Sequence, residues 1–587
     1  MSKETGKAFD IRLFKRLLAH TKPYRLVFYG VALAAILLSL FAVCTPAILS
    51  KIINEAVGET NEELLLMLCL AMMGVLIGQV FFQLLFTYYA NWLGESVIKD
   101  VRINLFKRMM GFKMAYFDNS SIGVLVTRAV ADMQRIGEIF SQGFFTIVAD
   151  LLKMFAAAGL MIWMNWRLAL IVFVLLPIIL YATRLFQKAM KVAFIEVRAQ
   201  VSNLNSFVQE RITGMKIVQL FTREKIEGEK FREINLKHQN AWLKTVWYNS
   251  IFFPIAEIVS SIAIGMVVWY GGLQNVDTGS GQPGDIFAFI LLIEMLFRPL
   301  RQIADKFNTL QMGMVAANRV FKILDTESHI ADEGKVTKTT IKGDISFKDV
   351  HFGYVPDEEV LHGISFDVKA GQTIAIVGAT GAGKSTIINL LNRFYEINSG
   401  VIAIDGVAIK EYTLASLRHK IAVVLQDVFL FADTISNNIS LKDELITLEA
   451  IEVAAKQIGV HQFIKSLPQG YLYNVKERGA MLSSGQRQLI AFLRAYVSNP
   501  SILVLDEATS SVDTYSEQLI QKATEKITQG RTSIIIAHRL ATIKKADKII
   551  VMDAGHIVEM GSHKELLQQD GYYRSLYEAQ FMEDEVA

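Results

Sequence analysis

Ile374-Ala375-Ile376-Val377-Gly378-Ala379-Thr380-Gly381-Ala382-Gly383-Lys384-Ser385-Thr386 is the stretch that decides the soluble part of this 587-residue chain. Its four leading apolar residues read as a buried strand, and residues 386–393 behind the glycines read as helix. Strand, glycine loop and helix together form the context in which a G-x-x-x-x-G-K-S pattern carries chemistry. Gly378, Gly381 and Gly383 let backbone N–H groups close around β- and γ-phosphates, with Thr380 inside the loop. Lys384 adds a point charge, Ser385 suits a Mg²⁺ ligand, and the helix N-terminus beginning near Thr386 attracts the anion. The eight-residue pattern alone arises by chance; with the strand and helix around it, accident becomes remote.

Working outward, residues 345–350 read as another strand. Ile502-Leu503-Val504-Leu505 is a buried one that ends in Asp506-Glu507. Adjacent carboxylates usually face solvent, but at the end of an apolar strand in a nucleotide-hydrolysing fold they divide the work. Asp506 suits the Mg²⁺ shell, through water, and Glu507 is placed to polarise an attacking water. A further strand, 533–537, delivers His538, which by periodicity alone is an ordinary histidine.

The first half is of another kind. All six tryptophans lie there, and six stretches come close to or reach the roughly 20 apolar residues that a membrane span needs: 26–49, 64–89, 141–164, 168–186, 247–271 and 285–303. The fold class expected is a multi-domain membrane protein. An all-α six-helix transmembrane domain with long cytoplasmic helical extensions precedes an α/β nucleotide-binding domain. The boundaries expected are 1–24 for a cytoplasmic segment with an interfacial helix at 9–18, 25–323 for the membrane domain, 324–343 for a linker, and 344–587 for the nucleotide-binding domain. Lysine and arginine crowd the N-terminal segment and the connections near 93–140 and 188–245 but are absent from 270–285, which puts both termini in the cytoplasm. ATP is also there. The net charge of +3 is small, and no basic tract interleaved with aromatics supports nucleic-acid binding. Cys44 and Cys69 lie in apolar stretches and say little about redox compartment. No short apolar segment with a cleavage site suggests a removable signal peptide.

The long inside connections are helix-periodic and predict two hairpins reaching into the cytoplasm. Breaks at 117–121 and 211–215 are either ordinary turns or contacts onto the nucleotide domain. Pro46, Pro177, Pro254 and Pro299 fall in or at the ends of spans, as kinks or hinges. Asp150, Lys153, Glu257, Glu294 and Arg298 lie deep in the spans and are costly there unless paired or facing water, which makes them cavity candidates. Glu294 with Arg298, and Asp150 with Lys153, are equally open to pairing with each other.

Taken in order, these residues resemble the ATP-binding cassette family, specifically exporter half-transporters with the membrane domain first. The most specific element is Leu482-Ser483-Ser484-Gly485-Gln486, similar to the family signature. The resemblance implies that Tyr354 stacks on adenine and that Gln426 touches Mg²⁺ and the coupling helices. It implies that Glu477 and Arg478 form the exporter-specific segment, that Asp513 lies in a loop crossing a dimer interface, and that His538 is the switch histidine. Two cassettes then share each ATP, so Ser483, Ser484, Gly485 and Gln486 act on the partner's nucleotide. Ser484 stands where the signature commonly has glycine, while Glu507 and His538 are intact. That combination resembles the hydrolysis-competent chain of bacterial heterodimeric exporters, and a heterodimer is favoured over a homodimer. The function implied is ATP-driven export of amphipathic drugs or lipids across the cytoplasmic membrane, in a lipid bilayer and with a second half-transporter. The alternatives are an ATP-gated channel, a regulatory subunit or a peptide exporter.

Overall fold

The computed structural model describes residues 10–58, 60–278, 282–337, 340–506, 514–537 and 540–578. The chain divides into two compact units. One holds the residues up to Met110 together with Ser121–Thr326, and the other holds Gly111–Ser120 together with the chain from Glu327 onward.

The first unit is helical. A short helix, Ile11–Ala19, is capped by the Asp10 carboxylate, which accepts from the backbone N–H groups of Arg12 and Leu13. Its apolar stripe is taken up by protein: Leu17 is fully buried, and the Phe14 ring lies 5.2 Å from that of Phe144. Arg16 makes two bonds to Asp325, at 2.5 and 2.6 Å, and its guanidinium lies 4.2 Å from the Phe321 ring centroid. The expected interfacial helix is therefore docked on protein, with Phe14 against the Phe144 ring and Arg16 held by Asp325 and Phe321 at the end of a later helix.

The long helices follow: Arg25–Lys51, Glu62–Met110, Phe145–Met164, Trp166–Thr213, Glu224–Thr278 and Pro283–Leu324. Asn165 turns the chain between the third and fourth, its side chain accepting from the N–H groups of Arg167 and Leu168. Pro46, Pro177, Pro254 and Pro299 all sit inside continuous helix. At 1.5 Å per residue the Glu62–Met110 helix is about 70 Å long and Glu224–Thr278 about 80 Å, against about 30 Å of hydrocarbon. More than half of each helix must then lie outside a bilayer. Among the described residues, five helical segments are long and apolar enough to cross a membrane. The expected sixth span is also helical, in Pro283–Leu324, but Asp285, Glu294, Arg298 and Arg301 make it more polar than the other five.

The two hairpin tips differ. The second, where Met215–Leu220 forms one helical turn and a half, leaves Ile217, Leu220 and Phe221 exposed, while Arg211 bonds Glu227 at 2.6 Å just behind it. The first, Gly111–Ser120, belongs to the soluble unit. Phe112 is buried, the Lys113 N–H donates to the Ser328 carbonyl at 2.7 Å, and His329 Nδ1 lies 2.6 Å from the Gly111 carbonyl.

The rest of the soluble unit is α/β. Its strands are β1 (Ile345–Phe352), β2 (Leu361–Val368), β3 (Thr373–Gly378), β4 (Ser399–Ile404), β5 (Val407–Ala408), β6 (Ile421–Val424), β7 (Ile502–Asp506), β8 (Thr532–Ile536), β9 (Lys548–Asp553) and β10 (His556–Gly561). Among the described residues they form an antiparallel sheet, β2-β1-β4-β5, and a larger one in the order β10-β9-β3-β8-β7-β6, parallel except at β10. The parallel strands read as unbroken apolar runs because both faces are covered. Ala375, Leu503 and Ile535 face one core with Leu489 and Leu493, while Ile374, Val504 and Ile534 face another with Phe347 and Leu390.

One close helix contact gives a stability test. A Cβ on Gly313 would stand 2.3 Å from Ile139 Cγ1 and 2.7 Å from the Arg135 carbonyl oxygen, whereas one on Gly228 meets nothing within 4 Å. Both glycines lie inside helices, Gly228 in the second turn of its own, where alanine is worth up to about 0.5–1 kcal/mol by propensity. Gly228→Ala is therefore expected to raise the unfolding temperature slightly. Gly313→Ala should lower it, by the equivalent of about 1–3 kcal/mol of overpacking, in thermal unfolding of the detergent-solubilised protein.

Candidate nucleotide site

The carboxyl ends of β3, β6, β7 and β8 lie along one edge of the parallel sheet, the edge outside which open α/β folds bind ligands. β3 ends at Gly378, whose φ of +151° and proximity to the Met552 carbonyl, 2.1 Å from any added Cβ, admit only glycine. The loop then turns through Gly381 and Gly383, both at positive φ, and opens the helix Lys384–Leu391. Its first-turn N–H groups have no partner within the helix and point out of its N-terminus.

Lys384 is buried. Its Nζ donates to the carbonyls of Gly378 at 2.7 Å and Ala379 at 2.8 Å, folding the ammonium back over the loop that it follows. Burial lowers its pKa, and the nearby Asp506 carboxylate works in the opposite direction. Among the described residues this desolvated cation bonds to two neutral carbonyls, which leaves it electrostatically receptive to an anion.

Asp506 closes β7, and Gln426 follows β6, the strand that pairs with β7 through Val424 and Leu505. Ser385 and Gln426 are exposed, and Asp506 is half-buried. Hydroxyl, amide and carboxylate oxygens are the hard donors that Mg²⁺ takes, so the residues fit the ion. No group of three or more His, Cys, Asp or Glu side chains that could hold a metal occurs among the described residues. A cation here would complete its shell with phosphate oxygens and water. Glu507, Asp513 and His538 lie outside the described residues.

Tyr354 follows β1 and is partly exposed. Its hydroxyl donates to Thr386 Oγ1 at 3.2 Å and accepts from Asn389 Nδ2 at 3.1 Å, tying the ring to the helix that leaves the phosphate loop. Thr386 is thus joined to Tyr354. Asn389, three residues on and on the same helix face, is a member of the site that the motif does not announce.

Ser483, Ser484, Gly485 and Gln486 form the start of the helix Ser484–Val497. Ser483 and Gln486 make a reciprocal capping box: the Ser483 hydroxyl accepts from the Gln486 N–H at 3.3 Å, and the Gln486 side chain accepts from the Ser483 N–H at 3.0 Å. Ser484 is exposed and Gly485 buried. Just before, Lys476, Arg478 and Gly479 all have positive φ. Such backbone costs about 1–3 kcal/mol at each non-glycine position and persists only where surroundings hold it.

In the helical unit, Asp150 pairs with Lys306 and Glu257 with Arg301. Lys153 stands near Asp150, Lys306 and Arg298. Asp150 is therefore taken by a lysine 156 positions away rather than by its helical neighbour. Among the described residues no ion pair joins Glu294 to Arg298, both of which are exposed. Lys306 and Arg301, which the sequence left outside the candidate set, complete these pairs.

Known proteins share both halves of the chain. Residues 28–300 match the model of the ABC transporter transmembrane region, and residues 361–510 match that of the ABC transporter domain. The uncharacterised ABC transporter ATP-binding protein YknV of Bacillus subtilis is 35% identical over 578 residues, covering 98% of this chain and 96% of that protein. The ATP-dependent lipid A-core flippase of Syntrophus aciditrophicus is 34% identical over 588 residues, covering 99% and 96%. Among solved structures, a bacterial Atm1-family ABC exporter with ATP bound matches with a TM-score of 0.75 at 28% identity, covering 94% of this chain and 98% of that one. With the apolar helices and the phosphate loop on one polypeptide and in this order, the chain belongs to the ABC transporter family, as a multi-pass membrane protein with an ATP-hydrolysing domain and the architecture of an exporter half-transporter.

Proposed function

We propose that this chain is one half of an exporter that uses ATP to move amphipathic compounds, lipids or drugs, across the cytoplasmic membrane. The observation that carries the reading is that Gly111–Ser120, the tip of a hairpin continuous with apolar spanning helices, is built into the nucleotide-binding unit. A movement of that unit is then mechanically a movement of the helices. Relatives named as lipid A-core flippases support a lipid-like substrate, and the exporter neighbour supports outward transport. Six spans with both termini in the cytoplasm follow from the basic residues of the hairpins and their absence between Tyr270 and Asp285.

In this reading Lys384 and the first N–H groups of Lys384–Leu391 hold the phosphates, and Tyr354 offers its ring to adenine. Ser385, Gln426 and, through water, Asp506 would hold Mg²⁺, which when bound neutralises charge on the phosphate oxygens. Glu507 polarises the attacking water, and His538 hydrogen-bonds beside it. Ser483, Ser484, Gly485 and Gln486 serve the nucleotide of a second half-transporter, and Asp513 lies on the surface between the two. Lys153, Glu294 and Arg298 remain the candidates for lining the substrate path. Asp150 and Glu257 are engaged by Lys306 and Arg301 and serve structure. Ser484, with a side chain where backbone meets phosphate, weakens the site lent to the partner. An intact Glu507 keeps the chain's own site competent, which favours a heterodimer.

Three outcomes test this. Glu507→Gln should lower ATPase turnover by about 10²-fold or more while ATP binding persists; unchanged turnover places the base elsewhere. Inverted vesicles carrying the protein should accumulate an amphipathic fluorescent dye only with hydrolysable ATP, and passive flux that ignores ATP hydrolysis defeats the pump reading. Purification from its native membrane should bring down a second, sequence-distinct half-transporter; a stable, active homodimer overturns the heterodimer.

A further inference from the structure

Tyr395 connects two parts of the soluble unit that the motifs treat separately. Its ring meets Tyr354 edge-on, with centroids 5.0 Å apart at 89°, and both pack on Phe352, which is buried and whose centroid lies 4.9 Å from that of Tyr354 and 5.8 Å from that of Tyr395. The other end of Tyr395, its hydroxyl, donates to the Asp118 carboxylate in the hairpin tip. One side chain therefore touches both the proposed adenine platform and the segment continuous with the spanning helices.

The backbone that carries Tyr395 is rigidly held. Arg393, at a φ of +50°, is buried. It donates to Glu396 at 2.8 Å and to the Ala331 carbonyl at 2.9 Å, while Arg418 donates to the Asn392 and Arg393 carbonyls at 3.2 and 2.9 Å. This strut continues directly from the helix behind the phosphate loop. The hairpin tip is held differently at its two ends. Near Gly111 it is fixed by bonds to Ser328 and His329 that involve its backbone, and near Asp118 it is held by a side-chain bond to Tyr395. The first end is thus fixed through main-chain atoms, and the second through one side chain that also packs on Tyr354.

We propose that Tyr395 is a positioning residue that senses the base on Tyr354 and transmits its presence to Asp118, so that the hairpin tip tightens when a complete nucleotide, and not merely a polyphosphate, is bound. This rests on Tyr354 being the base platform. Stacking on the exposed face of Tyr354 restrains its ring, the perpendicular Tyr395 ring loses freedom with it, and the hydroxyl holds Asp118 in one geometry. The coupling is one of ordering, and a two-ended contact of this kind is the physical link that such a claim requires.

The test is hydrogen–deuterium exchange of the full-length protein in nanodiscs, read at 111–120 and at the phosphate loop. In the wild type, ATP with Mg²⁺ should slow exchange in the hairpin tip by about fivefold or more, the low end of typical site-to-site coupling. Tripolyphosphate should protect the phosphate loop alone. Tyr395→Phe, which keeps the ring and loses the hydroxyl, should abolish the protection of the tip while the loop stays protected by ATP. Asp118→Ala, which removes the acceptor, should do the same independently, and the double variant should be no worse than either single one. Equal protection of the tip by tripolyphosphate and ATP, or ATP protection that survives in both single variants, overturns the proposal. Tyr354→Ala separates the two layers. If it binds ATP as tightly as the wild type, the platform reading falls and the relay falls with it; if it loses affinity while Tyr395→Phe and Asp118→Ala keep the ATP-dependent protection, the platform stands and only the relay fails.

Discussion

In hydrocarbon every backbone N–H and C=O must find its partner within the spanning segment itself, and most of this chain's architecture depends on that demand. It makes each apolar stretch a helix. Once a helix is nucleated, every further residue adds a bond at little cost, so continuation past the membrane surface is cheap where the sequence stays free of breakers. Helices of 48–55 residues result. The breaks then occur at the hairpin tips, around Gly111–Ser120 and Gly214, where turn-prone residues lie beyond the apolar stretches and the backbone no longer has to be self-sufficient.

The soluble unit obeys a different rule. Parallel strands buried on both faces must be apolar throughout, so polar chemistry is driven to their ends. That is where Gly378, Gln426 and Asp506 are found. The glycines tolerate the positive φ and close carbonyls of the turn, and the helix that follows supplies unpaired N–H groups. Lys384 is the charged residue that enters this dry corner, and its bonds to two loop carbonyls are the arrangement an anion can replace.

Much of this was legible in the linear pattern. Apolar length marked the spans, and the phosphate loop was recognisable because its chemistry needs particular residues at consecutive positions. Ion pairing was not legible. Asp150 and Lys153 share a helix, yet Asp150 takes Lys306, because pairing depends on which helices lie side by side rather than on spacing within one. The stripe of Phe14 and Leu17 read as the buried face of an interfacial helix, with the membrane surface expected to cover it. The Arg16–Asp325 pair and the Phe144 ring made it protein. Tyr395 carried no signal at all, being one aromatic residue in a loop.

Taken alone, the sequence determined that the chain has a membrane-spanning half, that the second half carries a nucleotide-binding domain, and that a glycine loop there joins a strand to a helix. These are local properties: hydropathy over about 20 residues, and backbone freedom at Gly378, Gly381 and Gly383. Only the tertiary structure decided that Gly111–Ser120 belongs to the nucleotide-binding unit, that Thr386 and Asn389 hold Tyr354, and that Tyr395 reaches Asp118. Asp118 and Tyr395 are 277 residues apart. A contact of that kind has no periodicity and no motif, since it exists only once both segments have been placed by the packing of everything else.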